Sequence, residues 1–301
     1  MNGNLGRDRL WNEHIWSEID KAVREEMGRI RVAQKVFPSM VANNVLPIAA
    51  NRAVPFGPGS GPTAPLGLVD DECRPFFEIS MEFVLTQAQV EGEENVRLAP
   101  SFAKLAASAI ASAEDTILFL GPGSIPLRIA TAGIAVTNQT AVPPGFVAEA
   151  DNYQPFASVP LAPPGPLGDI LAAVANGMAA LNQRAQPGPY ALLLPPNRYA
   201  QTFAPAAPGS LQTPGDQINH VVTGGFYMVN SLAGFGPPDI GILVSLGGEP
   251  ARIILGTEAT TAFTHIDPQG RYHFRVFERI QLVVRDGRAF QRVIFGSAAR
   301  P

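Results

Sequence analysis

The stretch Arg271-Tyr272-His273-Phe274-Arg275-Val276-Phe277-Glu278-Arg279-Ile280-Gln281-Leu282-Val283-Val284 alternates apolar and polar side chains. Tyr272, Phe274, Val276, Ile280, Leu282 and Val284 fall on one face, and His273, Arg275, Arg279 and Gln281 on the other. A period of two is the mark of a strand with one face on a core. Arg285-Asp286-Gly287-Arg288 supplies a turn and Phe290 to Phe295 a return strand, which predicts a C-terminal hairpin. Glu278 falls on the apolar face. An unpaired carboxylate there would be costly, so it is expected at a bulge or in a structural ion pair with an arginine.

Upstream, strands are predicted at Ala251 to Leu255, Ile240 to Ser245 and Phe226 to Val229. Tyr190-Ala191-Leu192-Leu193-Leu194 reads as a short buried strand stopped by Pro195-Pro196. Before it, Asp169 opens a helix whose apolar face is Ile170, Leu171, Val174, Met178 and Leu181, followed by a loop from Asn182 to Gly188. A longer helix runs from Pro100 to about Phe119, with Phe102, Leu105, Ala106, Ala109, Ile110, Ala113 and Ile117 on its expected buried face; Gly121-Pro122-Gly123 ends it. Phe77 to Leu85 reads as a strand. The first helix spans Arg7 to Lys35. It buries Trp11, Ile15, Trp16, Ile19, Ala22, Val23, Met27 and Ile30, with Glu18, Arg24, Glu25 and Arg29 mostly opposite, and it closes at Pro38. Asn43 to Pro75 is rich in proline and glycine and sustains neither a helix nor a central strand. It is either a disordered linker or an extended arm ordered against a neighbouring subunit.

Composition narrows the function classes. Of 301 residues, 46% are apolar but only 16% are charged, well under the roughly 25% of an ordinary soluble domain, so much of the surface is expected to meet other protein. A net charge of -4 argues against nucleic acid held on a broad basic face. Cys73 is the only cysteine, which leaves no internal disulfide. The start lacks the apolar core of a secretory signal, and no apolar run approaches the ~18 residues of a membrane span, which predicts a soluble protein that stays where it is made.

No catalytic set emerges. His14, His220, His265 and His273 lie in no metal-type spacing, so no metal site is expected. Ser101-Phe102-Ala103-Lys104 spells S-x-x-K, but the S-D-N and K-T-G elements that complete that acyl-transfer signature are absent, as is a G-x-S-x-G elbow. The stretches Gly57 to Pro62 and Gly121 to Pro126 read as turns, because proline has no N–H to offer a phosphate. Arg271, Arg275, Arg279, Arg285, Arg288 and Arg292 spread over the predicted hairpin, either as a solvated sheet face or along a lumenal or inter-subunit surface. The chain is not expected to be an enzyme.

Four motifs in order resemble the encapsulins, bacterial shell proteins. Trp16-Ser17-Glu18-Ile19-Asp20 sits at their Trp-x-x-Ile-(Asp/Glu). Glu114-Asp115 through Phe119-x-Gly121 is similar to the end of their spine helix. Gly188-Pro189-Tyr190-Ala191-Leu192 resembles the Gly-Pro-Tyr-x-Leu after their pore loop, and Ile253-Ile254-Leu255-Gly256 with Phe274 to Glu278 resembles their closing strands. The resemblance implies an α+β chain with the Hong Kong 97-type phage capsid fold. Its parts would be an N-terminal lumenal helix (1–42), an extended arm (43–76), a peripheral domain in two parts (77–130 with the spine helix, and 246–301) and an axial domain (131–245).

The resemblance further implies self-assembly into a closed icosahedral nanocompartment in the cytoplasm. Such a shell encloses cargo enzymes (peroxidase or ferritin-like cargo among them) that carry short terminal peptides, and it passes small molecules through pores. No membrane or nucleic acid partner is implied. Arg31, Gln34 and Val36 would lie at the cargo peptide, although Ala33-Gln34-Lys35-Val36-Phe37-Pro38 departs from the family's Gly-Arg-Lys/Arg and leaves the cargo's identity open. Asn182, Gln183, Arg184, Ala185 and Gln186 would line the five-fold pore. Arg184 would either form a ring favouring small anions or turn aside to pair with a neighbour's carboxylate. Some members stack a flavin on a tryptophan where this chain has Thr86-Gln87-Ala88-Gln89, so no cofactor is expected. A phage or prophage major capsid protein that packages DNA is the alternative of the same fold. The helix Arg7 to Lys35, similar to the encapsulin lumenal helix, argues against it.

Overall fold

The computed structural model describes residues 5–42, 48–49, 52–55, 66–69, 73–152, 168–205, 212–234 and 239–295. In chain order the N-terminal part contains α1 (Glu13–Ile30), α2 (Ala33–Val36), β1 (Ser39–Val41), β2 (Ile48–Ala49), β3 (Arg52–Pro55), β4 (Leu66–Val69), β5 (Cys73–Arg74) and β6 (Phe77–Thr86). There follow α3 (Gln87–Glu91), α4 (Glu93–Val96), α5 (Leu98–Leu120), β7 (Ala135–Thr137), α6 (Phe146–Asn152) and α7 (Gly168–Gln183). The rest is β8 (Tyr190–Leu194), α8 (Pro196–Gln201), α9 (Pro214–Val221), β9 (Gly225–Met228), β10 (Asp239–Ser245), β11 (Ala251–Ile266), β12 (Arg271–Val284) and β13 (Phe290–Phe295).

Two sheets carry the fold. The first has the order β1-β11-β12-β6-β7, parallel only between β1 and β11, and the second the order β13-β10-β8-β9, parallel only between β8 and β9. β12 sits in the middle of the first sheet, between β11 and β6. This corrects the predicted C-terminal hairpin. Both edges of β12 are already paired, so β13 has no ladder to join there. Instead the N–H groups of Arg285 and Asp286 bond to the Pro250 carbonyl at 2.7 and 3.1 Å, and the chain crosses to β10 in the second sheet. The hairpin partner of β12 is β11, across Asp267-Pro268-Gln269-Gly270, where Gly270 supplies a φ of 75°. β11 itself runs on to Ile266, past the predicted end at Leu255. Its threonines suit a strand, and three register shifts hide its alternation. The last strand, expected in the peripheral part, thus belongs to the second sheet, and β7, expected in the axial part, to the first.

The helices close the core over these sheets. Asn12 caps α1, its Oδ1 accepting the Ile15 N–H at 3.0 Å, and a single turn over Arg7–Arg9 precedes it, so the predicted helix is shorter than Arg7 to Lys35. Ile15, Trp16, Ile19, Val23 and Met27 are buried, and the Trp11 ring stacks on Phe274 at 5.1 Å. α5 packs against α1 and β6 through Ala99, Ala103, Ala106, Ala107, Ile110 and Ala111. Small side chains let these backbones approach, and the large ones turn the other way. Phe102 (37% exposed) and Leu105 (68%) therefore do not lie on the buried face assigned to them. Every residue of β8 is buried because both faces are covered: Ala191 and Leu193 face the main core, while Tyr190, Leu192 and Leu194 face α7 and α9. Phe37, Phe119, Phe146 and Phe290 join the two layers, with ring centroids 4.4–5.9 Å apart. Of the Asn43 to Pro75 segment, the described residues form two short antiparallel ladders, β2 with β5 and β3 with β4, which fold it back on itself. Gly57 to Pro62 lie outside the described residues.

Candidate functional sites

At the corner between α1 and α2 the chain turns at Arg31 and Val32. The two N–H groups that start α2, on Val32 and Ala33, point at the Asp115 carboxylate at 2.8 and 3.0 Å, which replaces the missing helical acceptors. The Arg31 guanidinium lies between two further acids of the core. Its Nε is 2.8 Å from Glu114 Oε2, and its Nη2 donates to both oxygens of Glu278 at 3.0 and 3.1 Å. Gln34 Nε2 donates to Glu114 Oε1 at 2.8 Å. Glu114 and Glu278 are fully buried, Arg31 and Asp115 nearly so.

Burial acts to lower the Arg31 pKa, but the carboxylates of Glu114 and Glu278 outweigh it and hold the guanidinium charged. Glu278 is raised well above the glutamate range by burial and by Glu114 beside it. Asp115 is pushed up to about 7 by burial and by Glu114, against the pull of its two N–H donors.

Two expectations meet in this corner. The arginine expected beside Glu278 is Arg31, and for that reason Arg31 has no free guanidinium for a cargo peptide. Val36 is buried in the main core as well, so of the three expected cargo residues only Gln34 keeps partial exposure. The cluster was half legible: Glu114-Asp115 stand together in an apolar helix, and Glu278 stands on the apolar face of a strand. Nothing in the sequence says that they converge.

The loop after α7 has a similar outcome. Arg184 folds back under it: Nε bonds to the Ala180 carbonyl and Nη1 to the Phe290 carbonyl, both at 3.2 Å, and Nη2 reaches Gln291 Oε1. A guanidinium at a helix C-terminus meets carbonyls that lack helical partners, and here it ties them to β13. Burial lowers the Arg184 pKa, with Asp286 acting in the opposite direction. Arg184 is therefore turned aside, as one of the two alternatives had it, but onto its own chain and not onto a neighbour's carboxylate. Gln186 is buried too and donates to Asp286 at 2.9 Å. Asn182, Gln183 and Ala185 remain exposed, Asn182 accepting the Tyr190 hydroxyl at 2.8 Å.

The fold of the chain is similar to that of several solved structures. The structure is similar to a virus-like particle from Pyrococcus furiosus (TM-score 0.66, 13% identity, 94% of this chain and 100% of that one). It is also similar to Mycobacterium phage Bobi (TM-score 0.58, 15% identity, 89% and 91%). A third likeness is to the holo-SrpI encapsulin complex from Synechococcus elongatus PCC 7942 (TM-score 0.57, 9% identity, 89% and 88%). This is the Hong Kong 97-type capsid fold. Residues 153–281, less than half of the chain, match the family model described as encapsulating protein for peroxidase, so the resemblance read from the four motifs holds for the fold and over that span. A comparison with curated proteins found no match.

On this capsid fold the remaining motifs find structural roles. Ser101 Oγ bonds to the Arg97 carbonyl of its own helix, and Lys104 is exposed one turn on, so S-x-x-K is helix surface. A Cβ on Gly121 would stand 2.1 Å from the Pro144 carbonyl oxygen; the glycine is there for close backbone approach, at a φ of 74°. Thr86 and Gln89 form a reciprocal capping box on α3. Arg271, Arg275, Arg279, Arg285 and Arg288 each pair with a carboxylate. His265 and His273 stack at 4.3 Å across the β11–β12 hairpin, with Asp267 3.2 Å from His273, a juxtaposition invisible at their spacing of eight. Among the described residues no group of three or more His, Cys, Asp or Glu is placed to hold a metal ion, and no helix is long and apolar enough to cross a membrane.

Proposed function

We propose that this chain is the subunit of an icosahedral encapsulin nanocompartment that encloses cargo enzymes and passes small molecules through pores. The observation that carries this reading is the N-terminal helix. Trp16, Ile19, Val23 and Met27 of α1 are part of the main core, and the corner after it is bonded to α5 and β12. A segment built into the core in this way is unsuited to be a cleaved scaffolding piece, which is what separates an encapsulin from a phage capsid protein of the same fold. The match of residues 153–281 to the peroxidase-encapsulating family supports it further.

In this reading α5 is the spine helix of a peripheral domain built on the first sheet. The second sheet with α7 and α9 is the axial domain, and the β2–β5 segment is the arm laid on a neighbouring subunit. Exposed large side chains on the single chain, Val96, Leu105, Leu127 and Phe203, fit burial between subunits. A cargo peptide would dock on the outer side of the α1–α2 corner, with Gln34 at its edge. Asn182, Gln183 and Ala185 would line the pore, with Arg184 bracing the loop from below.

Electron microscopy with analysis of the particle contents tests the proposal. Uniform hollow particles carrying protein cargo are the expected result. Particles filled with DNA would establish the phage reading instead, and a monodisperse monomer at micromolar concentration would rule out both.

A further inference from the structure

We propose that the buried cluster of Arg31, Glu114, Asp115 and Glu278 is a proton-operated latch, which holds the α1–α2 corner against the core while protonated and releases it as the pH rises. The inference concerns docking within one chain and does not depend on what the shell encloses.

Its basis is a charge imbalance among buried side chains. Three carboxyl groups converge on one guanidinium: Glu114 and Asp115 from α5, Glu278 from β12, and Arg31 from the end of α1. From α2 only the neutral Gln34 amide faces them, since Lys35 turns outward to the Arg29 carbonyl. The charged groups that act most on Arg31, Asp115 and Glu278 are one another and Glu114. With every acid ionised, two negative charges would be uncompensated in the core, where desolvation is costly. A bound proton relieves this, and burial together with the neighbouring Glu114 favours the protonated form of Glu278 and of Asp115.

The moving part is defined by the surroundings. Glu114 and Asp115 sit on a 23-residue helix and Glu278 in the central strand of a five-stranded sheet, so neither can leave. The corner is held there by the Arg31 contacts, by the Val32 and Ala33 N–H bonds to Asp115, and by the Gln34 amide. If the acids ionise fully, water enters only when the corner lifts.

The direction follows from linkage. Free carboxyls titrate near pH 4, whereas Asp115 in the docked state is raised to about 7 by burial and by Glu114. Docking therefore takes up a proton. It is strongest at low pH, weakens between about pH 4 and 7, and levels off above that. From pH 5.5 to pH 8 a single group of this kind makes opening roughly thirtyfold more favourable.

Intact particles are compared at pH 5.5 and pH 8 by hydrogen exchange of the corner from Ile30 to Phe37, corrected for the intrinsic rate. Light scattering on the same samples separates release of the corner from disassembly. The expected result is roughly thirtyfold faster exchange at pH 8 in the wild type, and in Asp115→Asn a profile flat with pH but less protected throughout, because an amide nitrogen cannot accept the Val32 or Ala33 N–H. Infrared difference spectra of the wild type should show a protonated-carboxyl band at pH 5.5 that is lost by pH 8, a reading that needs no variant. Exchange that does not change, or that slows as the pH rises, overturns the latch. So does a full wild-type pH profile in Asp115→Asn, or the absence of that band.

Discussion

Arg31 carries more of this structure than its position at a helix end suggests. It is the counter-ion of two acids that the core cannot expel. Removing one partner of such a buried set leaves charge uncompensated, which costs about 3–5 kcal/mol. Arg31→Met should therefore destabilise the folded protein by that order, and adding Glu278→Gln should recover much of the loss. A double variant no more stable than Arg31→Met would mean that Glu278 is not the group being neutralised. Arg184 invites the opposite assignment from the one its loop suggests. Because its guanidinium bonds inward to Ala180, Phe290 and Gln291, Arg184→Ala should destabilise the subunit by about 1–3 kcal/mol and leave the relative entry of small anions and cations unchanged. Entry assays beside thermal melts check both halves of that statement.

At the scale of elements, α5 is decided by size and not by hydrophobicity. Its buried stripe is mostly alanine, which sets how near α1 can lie, while Phe102 and Leu105 point outward. Ala107→Leu, at a fully buried position, should cost about 1–3 kcal/mol by overpacking, visible as a lower melting temperature with the fold retained. The strands show where pattern reading succeeds and where it fails. The alternation of β12 marks its apolar face correctly, and Glu278 sits on it with its ion-pair partner. Gln281, on the polar side of the pattern, is nevertheless fully buried, because its amide donates to the Pro75 and Ala141 carbonyls on the far face of the sheet. The pairing of β12 with β11 was not legible, since a period of two says which face a side chain takes and nothing about which strand lies alongside.

For the whole molecule, the capping box at Thr86-Gln87-Ala88-Gln89 offers no ring to an isoalloxazine, so the purified protein should show no stoichiometric flavin absorbance. A yellow preparation with one flavin per subunit would contradict this. The three longest helices, the longer strands from β6 onward and, through four ordered motifs from Trp16 to Glu278, the resemblance to proteins of the capsid fold can be read from the sequence alone. Those features are local: they rest on periodicity, on proline and glycine punctuation, and on short motifs whose spacing is written in the chain. The crossing of β13 to the second sheet, the turn of Arg31 in to Glu278 some 247 residues away and the bracing of β13 by Arg184 are visible only in the folded chain. Where an ionisable side chain goes depends on which buried groups lack a partner in three dimensions. A charge in low dielectric is drawn to the opposite charge or unsatisfied carbonyl within its reach, and reach is a property of the folded chain.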